Sequence, residues 1–222
     1  MAGRNKAART GPAGASDEQV RALLDRYQCP VAFHEVRTRF LGNIATPSMT
    51  ASPIKMIQDL WGGELPVFDS TDAANELIGA LIMGLWNRLT RHQDRNSPFR
   101  LNRIETAPTR EGLADLSRMR VQEIDGFVDG LFGREDRIDL PERAHRALDD
   151  LAEMRALFGA VQNVATDETK APKLGDVQTT LRHLREMTKH AEHDMHTVVL
   201  SCTRARKQTL SASSLLGKAG LH

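Results

Sequence analysis

The chain has 222 residues, of which 40% are hydrophobic and 27% charged, and its net charge is +1. This length and composition fit one domain with a real apolar core. Two cysteines exclude a disulfide framework and a four-cysteine zinc site. No apolar run approaches the roughly 18 residues of a membrane span, and the N-terminal residues lack the apolar stretch of a secretion signal. We therefore expect a cytoplasmic protein without a membrane segment.

The charges are unevenly distributed along the chain. Residues 1–15 and 197–222 together hold seven basic residues and no acidic residue, so the part between them carries a net charge of −6. Alanine, glycine and arginine dominate residues 1–15, a composition typical of disorder. The sequence thus predicts a disordered basic N-terminal tail at 1–15, one helical domain at 16–207 and a flexible C-terminal tail at 208–222.

The first helix signals lie directly after the N-terminal tail. Ser16 and Gln19 have the spacing of a capping box, and apolar residues follow at helical intervals. Pro30 opens a second amphipathic helix, which ends near Pro47. These patterns predict two short helices before residue 50.

The central stretch predicts a short helix, a turn and one long helix. Ser52–Pro53 is a typical helix start, and Gly62–Gly63 is a typical helix end. Asp69 or Ser70 then caps a long helix, in which apolar residues recur at spacings of three and four. Its apolar face contains Ala74, Leu77, Ile78, Leu81, Ile82, Leu85 and Leu89, and is widened by Ala73, Met83 and Trp86. So wide a face predicts helical neighbours on several sides.

The second half of the chain predicts a connection and three further helices. Residues 93–108 are polar and irregular, and the later helices begin at Thr109, near Asp139 and at Asp176. No stretch alternates polar and apolar residues as a strand does. The fold class expected is therefore all-α, a compact bundle of about seven helices without a significant sheet. We expect one buried core cluster to contain Trp61, Leu81, Leu85 and Phe127.

Short motifs occur in a characteristic order across the central part of the chain. Ser52–Pro53 is followed by a WGGELPVF turn at 61–68 and by an apolar helix that closes in Leu85-Trp86-Asn87; Phe40-Leu41-Gly42 and Gly126-Phe127 flank this stretch. Over roughly residues 30–160 the chain resembles the YecA-like family, also called the UPF0149 or YgfB-like family. The resemblance implies no reaction. Many members carry a C-terminal cysteine-rich zinc motif, which this chain lacks.

Residue types that often mark catalytic or ligand sites have plainer readings here. Gly42, Gly126 and Gly130 lie in predicted helices, where glycine more often permits close helix packing than ligand binding. Cys29 and Cys202 show no activating neighbour, which indicates inert buried thiols. No phosphate-binding glycine loop, GxSxG or HExxH motif is present. We therefore expect no catalytic residue and no cofactor.

The last predicted helix contains a histidine-rich run. At about 100° per residue, His183, His190 and Asp194 share a narrow sector, flanked by Glu186 and His193. Such donors could hold zinc or a di-metal centre. The sector lies off the apolar face, however, so the main prediction is an exposed histidine face with no bound metal. Exposed imidazoles predict only a small stability change between about pH 5 and 8.

A basic motif follows on the same helix and suggests a binding function. Arg204, Arg206 and Lys207 could contact the phosphates of a nucleic acid, although no aromatic residues for base stacking are interleaved. Because nothing catalytic stands out, the leading hypothesis is a non-enzymatic protein-interaction or adaptor module with a protein partner. The alternatives are a metal-binding protein or metal-dependent enzyme that uses the histidine helix, and a nucleic-acid-associated regulator that uses the basic tails. Homo-oligomer formation stays open.

Overall fold

The computed structural model describes residues 14–48, 52–135, 137–167, 169 and 174–219, and all regular structure in these ranges is helical. Seven of its α-helices have seven or more residues, and no strand is present in the described part of the chain, which confirms the predicted all-α fold. Residues 1–13 of the predicted N-terminal tail lie outside this part. The α-helices are α1 (Asp17–Arg26), α2 (Phe33–Ala45), α3 (Pro53–Asp59), α4 (Thr71–Gly79), α5 (Asn87–Leu89), α6 (Arg110–Phe132), α7 (Glu142–Thr166) and α8 (Leu174–Ala219).

Local side-chain hydrogen bonds set the helix starts that the sequence indicated. The Ser16 hydroxyl accepts from the backbone N–H of Gln19, and the Gln19 side chain accepts from the backbone N–H of Ser16, which completes the capping box of α1. Hydroxyl oxygens cap three further helices in the same way, at Ser52, Ser70 and Thr109. The capping residue of α4 is thus Ser70 and not Asp69.

The predicted long helix after Ser70 changes its helical type along its length. After α4 comes a π-helix, Ala80–Trp86, and after α5 a 3₁₀-helix, Thr90–Gln93. A π-helical turn contains more residues than an α-helical one, so residues spaced by four stay close to one face whereas residues spaced by three move away from it. Leu81 and Leu85 remain buried, whereas the Met83 side chain is 64% exposed. Placing Met83 on the apolar face was therefore wrong.

Helices α2 and α6 pack at very short range through glycines. A Cβ atom on Gly130 would lie 1.9 Å from the Arg39 carbonyl oxygen, and one on Gly42 would lie 2.1 Å from the Phe127 carbonyl oxygen. Neither distance leaves room for a side chain, so the two backbones can approach this closely only because both positions are glycine. This confirms the close-packing interpretation of these glycines.

The core holds three of the four residues predicted to form one cluster. Leu81, Leu85 and Phe127 are buried and belong to the same apolar cluster. Trp61 packs against the edge of this cluster and is half-buried, so its predicted full burial was wrong. Its indole Nε1 donates a hydrogen bond of 2.9 Å to the Tyr27 carbonyl, which orients the ring at the edge.

The irregular connection between the 3₁₀-helix and α6 is held by buried polar groups. Glu192 of α8 accepts hydrogen bonds from the Arg100 guanidinium (2.6 Å) and from the Leu101 backbone N–H (3.0 Å). Glu123 of α6 accepts from the Asn102 backbone N–H at 2.8 Å. Burial raises the pKa of Glu123, while neighbouring Arg120 acts in the opposite direction. These contacts fix the connection against α6 and α8.

Helix α8 is longer than the sequence predicted. It has 46 residues and continues through Ala219, although the C-terminal tail was predicted to begin at 208. The residues from 208 to 216 include neither proline nor glycine, so no local signal ends the helix there. At its other end Asp176 lies in the first turn and does not precede the helix as predicted. Within the described residues, no helix is long and apolar enough to cross a membrane.

Candidate functional site

The histidine face of α8 is exposed, as predicted. His183, His190 and His193 are all solvent-exposed side chains. Glu186 is exposed too and forms an ion pair with Lys189, with 2.8 Å between Oε1 and Nζ. The hydrogen bond from Lys189 holds the pKa of Glu186 below its ordinary value. The geometry is that of a solvated helix face with local ion pairs.

Asp194, on α8 itself, is influenced by a carboxylate of the neighbouring helix α7. Asp194 is half-buried, and its pKa is raised first by burial and then by Asp150 of α7, against the opposing effect of His193 and His190. Among the described residues, no three histidine, cysteine, aspartate or glutamate side chains come together in a way that could hold a metal ion. The absence of a bound metal nevertheless stays a prediction.

A different site lies beside the C-terminal half of α8. A groove of about 940 Å³ separates α8 from residues 90–95 and from the first turn of α7. Its lining contains five basic residues and one acidic residue, Asp94; the basic residues are Arg91, Arg95, Arg143, Arg204 and Lys207. We call this feature the basic groove. It is the largest concentration of one charge sign in any described cavity.

Helical periodicity places the α8 side of the basic groove. Thr197, Ser201, Arg204 and Lys207 follow one another at spacings of three and four, so they share one face of the helix. Thr203 also lines the groove at the inner edge of this face. The α8 wall therefore presents two cations and several hydroxyl groups along about three helical turns.

The opposite wall is a tight turn that is anchored to the core. The Asp94 carboxylate accepts from the Asn96 backbone N–H at 2.9 Å, and the Asp94 carbonyl accepts from the Ser97 N–H at 3.0 Å. The Gln93 side-chain amide donates to the Ile44 carbonyl at the end of α2. This turn carries Arg91 and Arg95, and its hydrogen bonds fix its shape and attach it to the end of α2.

The basic groove holds positive charge that no ion pair among the described residues neutralises. Its five basic side chains are all exposed, and none forms an ion pair with another described residue. Arginines in other parts of the fold do form such ion pairs. The Nε atom of Arg155, for example, lies 2.8 Å from Oδ1 of Asp125. A cleft with an excess of four positive charges attracts anions and favours binding them.

The basic motif identified in the sequence divides between two roles. Arg204 and Lys207 line the basic groove, whereas Arg206 is half-buried on another side of α8. The Arg206 guanidinium donates a hydrogen bond of 3.2 Å to the carbonyl of Thr46, the residue that ends α2. A cation at a helix C-terminus stabilises the exposed carbonyl groups. Sequence reasoning treated the three residues as equivalent, and the fold separates them.

Two buried histidines lie behind the groove walls, and the sequence analysis identified neither of them. His92 is 5% exposed; its Nδ1 lies 2.7 Å from the Ser97 carbonyl oxygen, and its ring meets Phe99 edge-on at 5.3 Å. His196 is 9% exposed, and neither of its ring nitrogens makes a hydrogen bond of ordinary geometry to a described residue. Only the packing of the 3₁₀-helix against α8 brings them together.

The surroundings of both histidines disfavour a proton. Burial is the main reason that the pKa of His92 is lowered, and the charges of Arg91, His196 and Arg37 add to it against the Ser97 hydrogen bond. The pKa of His196 is lowered for the same main reason, with His193 and Arg100 adding to it and the Arg95 backbone opposing. Burial and the neighbouring positive charges thus both disfavour the protonated form of the two rings.

Neither cysteine is prepared for chemistry. Cys202 is completely buried, and burial raises the pKa of its thiol to about 12. Cys29 is half-buried, its Sγ donates weakly to the Leu60 carbonyl at 3.9 Å, and burial raises its pKa as well. Because the thiolate is the reactive form, both environments disfavour nucleophilic chemistry.

Comparison of the chain with protein-family models, with curated proteins and with solved structures found no match in any of the three. The YecA-like resemblance therefore stays a prediction from the sequence motifs. What the chain can do has to be inferred from its own geometry, and the feature with the clearest chemical preference is the basic groove.

Proposed function

We propose that this protein is a non-enzymatic interaction module that holds an acidic segment of a partner protein in its basic groove. The observation that carries the proposal is the set of five exposed cations that have no ion-pair partner among the described residues. Arginine binds carboxylates through two parallel N–H···O bonds, and four of the five cations are arginines. The YecA-like resemblance is compatible with this role because it implies no reaction.

An acidic protein segment suits the groove better than a nucleic acid does. Among its lining residues there is no aromatic side chain on which a base could stack. Proteins that bind single strands combine a basic groove with such stacking platforms. Residues outside the two ends of the chain carry net negative charge, which repels an extended polyanion more than a short acidic peptide.

Fluorescence anisotropy with a labelled ten-residue peptide of alternating aspartate and glutamate tests the proposal. Replacing Arg91 and Arg204 together by alanine should weaken binding about tenfold, because each exposed charge contributes roughly 0.5–1 kcal/mol. The matched control removes the same charge from the far end of α8, through Arg182→Ala and Arg185→Ala, and should leave the affinity unchanged. Equal affinity of the wild type and the Arg91/Arg204 variant would refute the proposal.

A second pair of variants separates the groove from the basic motif as a whole. Arg204→Ala should reduce peptide binding by about threefold, whereas Arg206→Ala should leave it unchanged, since Arg206 bonds to Thr46 away from the groove. A generic basic tail predicts equal losses from both. The same assay with a single-stranded oligonucleotide covers the nucleic-acid alternative: tighter binding of the oligonucleotide than of the peptide would favour it.

A further inference from the structure

The turn that forms one wall of the basic groove has one buried side chain. Residues 90–98 run between two buried anchors, Leu89 and Phe99. Within this stretch, which the structure describes completely, His92 is buried and every other side chain is exposed or half-buried. The packing of the His92 imidazole therefore largely determines how closely the turn approaches α8.

The buried imidazole of the turn meets a second imidazole on α8. His196 lies close enough to His92 for the charges of the two rings to interact, and it also lies beside the backbone of Arg95. Both ring nitrogens of His196 are buried without a hydrogen bond of ordinary geometry to a described residue. Two apolar side chains would pack this contact without the cost of an unpartnered polar group. Local violations of this kind are expected where a residue serves a function, so the pair favours a functional explanation.

The charged groups around the two rings are mainly cationic, and they come from several elements. Those that lower the pKa of one ring or the other are Arg37 of α2, Arg91 of the 3₁₀-helix, Arg100 of the irregular connection and His193 of α8. A proton on either ring would therefore add a charge of the same sign to an enclosed space.

The carboxylates nearest to the pair in the sequence do not offset such a proton. Asp94 bonds within its own turn, and Glu192 bonds to the irregular connection. Asp194 lies about 200° around α8 from His196, and its charge interacts with that of Asp150 on α7. None of these carboxylates forms an ion pair with either ring.

We propose that the contact between His92 and His196 is a pH-sensitive latch, which holds the turn 90–98 against α8 while both rings are neutral and releases it when either ring takes up a proton. This inference rests on the proposed function and specifies how binding is regulated. The turn carries Arg91 and Arg95, two of the five basic residues of the groove, so its release removes both from a bound acidic segment. Buried histidines whose protonation at about pH 5–6 changes an interface are an established type of switch.

Proton linkage sets the direction and the size of the effect. A ring released into water takes up a proton below about pH 6.5, whereas burial and the neighbouring cations lower the pKa of the packed ring. The latched state is therefore favoured above that pH and is lost as the pH falls. At about pH 5.5 each ring shifts the equilibrium towards the released turn by up to about tenfold, and the pair shifts it by up to about a hundredfold.

Fluorescence anisotropy with the peptide of alternating aspartate and glutamate tests the latch at about pH 7.5 and 5.5, where the peptide carboxylates stay mostly ionised. The wild type should bind about three- to tenfold more weakly at the lower pH, because two exposed cations leave the groove. The variant with His92→Gln and His196→Gln should bind equally at both pH values. The matched control, His183→Gln with His190→Gln, changes two exposed histidines of α8 and should keep the full pH dependence.

A measurement without peptide shows whether the turn itself moves. In the ¹⁵N-labelled wild-type chain, the amides of residues 90–98 should have order parameters near about 0.85 at the higher pH and below about 0.6 at the lower pH. The variant with glutamine at both positions should give the same values at both. A turn that stays equally ordered in the wild type would contradict the latch, and this result does not depend on how any variant folds.

The outcomes also distinguish the latch from the proposed function. Failure of the wild type to bind the peptide at about pH 7.5 overturns the proposed function, and the order parameters then decide on the latch by themselves. Binding that is unchanged or stronger in acid overturns the latch and leaves the proposed function standing; stronger binding would mean that the protonated rings only add to the charge of the groove. An equal loss in acid in the glutamine variant would likewise overturn the latch.

Discussion

The contact between α2 and α6 yields the most demanding test of the fold. In Gly130→Ala the new methyl carbon would lie 1.9 Å from the Arg39 carbonyl oxygen and 2.7 Å from the Arg39 carbonyl carbon. Both of these atoms belong to the backbone of α2, so no side-chain rotation relieves the overlap. The two helices must separate, and the apolar contacts that they share weaken along their length.

The expected cost follows from two opposing effects. Overpacking a core by one carbon typically costs about 1–3 kcal/mol, and a clash with backbone lies at or above the upper end of this range. Replacing glycine by alanine within a helix contributes up to about 1 kcal/mol in the opposite direction. We therefore expect Gly130→Ala to lower the free energy of unfolding by about 2 kcal/mol or more, measured by urea denaturation with an unchanged slope.

Gly159 of α7 provides the matched control for this experiment. A Cβ atom at Gly159 would meet no heavy atom within 4 Å, so Gly159→Ala changes the helix backbone without a clash. This variant should gain about 0.5–1 kcal/mol. If Gly130→Ala were as stable as Gly159→Ala, the close packing of α2 on α6 would be refuted.

Three further predictions concern the histidines and the buried cysteine. Stability to urea should fall as the pH is lowered from about 7.5 to 5.5, because the unfolded chain takes up protons below about pH 6.5 while the native pKa values of His92 and His196 are lowered. The stabilisation from the two neutral histidines is present above that pH and is lost below it. The variant with glutamine at both positions should show a flatter profile. A result as flat in the wild type as in this variant would restore the expectation of a small pH effect that the exposed histidines suggested. Cys202 should resist a thiol-reactive disulfide reagent in the native protein at about pH 8 and react only on unfolding, and native labelling at a rate similar to that of Cys29 would contradict its burial. Neither zinc nor manganese should raise the melting midpoint relative to EDTA, in wild type or in His190→Ala; a rise of several degrees that this variant loses would favour the metal-binding alternative.

Features decided by neighbouring residues in the sequence could be predicted. Ser16, Ser52, Ser70 and Thr109 cap helices through bonds that span only three residues, so the residue types and their spacing suffice. The exposure of the histidine face on α8 followed from periodicity in the same way. Those signals determine where helices begin and which side of a helix turns inward.

Features decided by packing between distant parts of the chain could not be predicted. The π-helix after Gly79 breaks the period that the prediction assumed, and no residue in it signals the change. Glu192 lies within the histidine-rich run of α8, yet it is buried and accepts hydrogen bonds from Arg100 and Leu101, some 90 residues away. The basic groove likewise requires Arg91 and Arg204 to meet across the fold.

The basic groove as a binding site can be tested most directly by mapping a bound peptide on the protein. Amide resonances of the ¹⁵N-labelled chain would be followed by NMR during titration with the peptide of alternating aspartate and glutamate. We predict that the largest shifts fall in residues 90–95, in the first turn of α7 around Arg143, and in residues 197–211 of α8. Shifts concentrated instead around His183 and His190, or spread evenly over the surface, would contradict the basic groove as the site where this protein holds its partner.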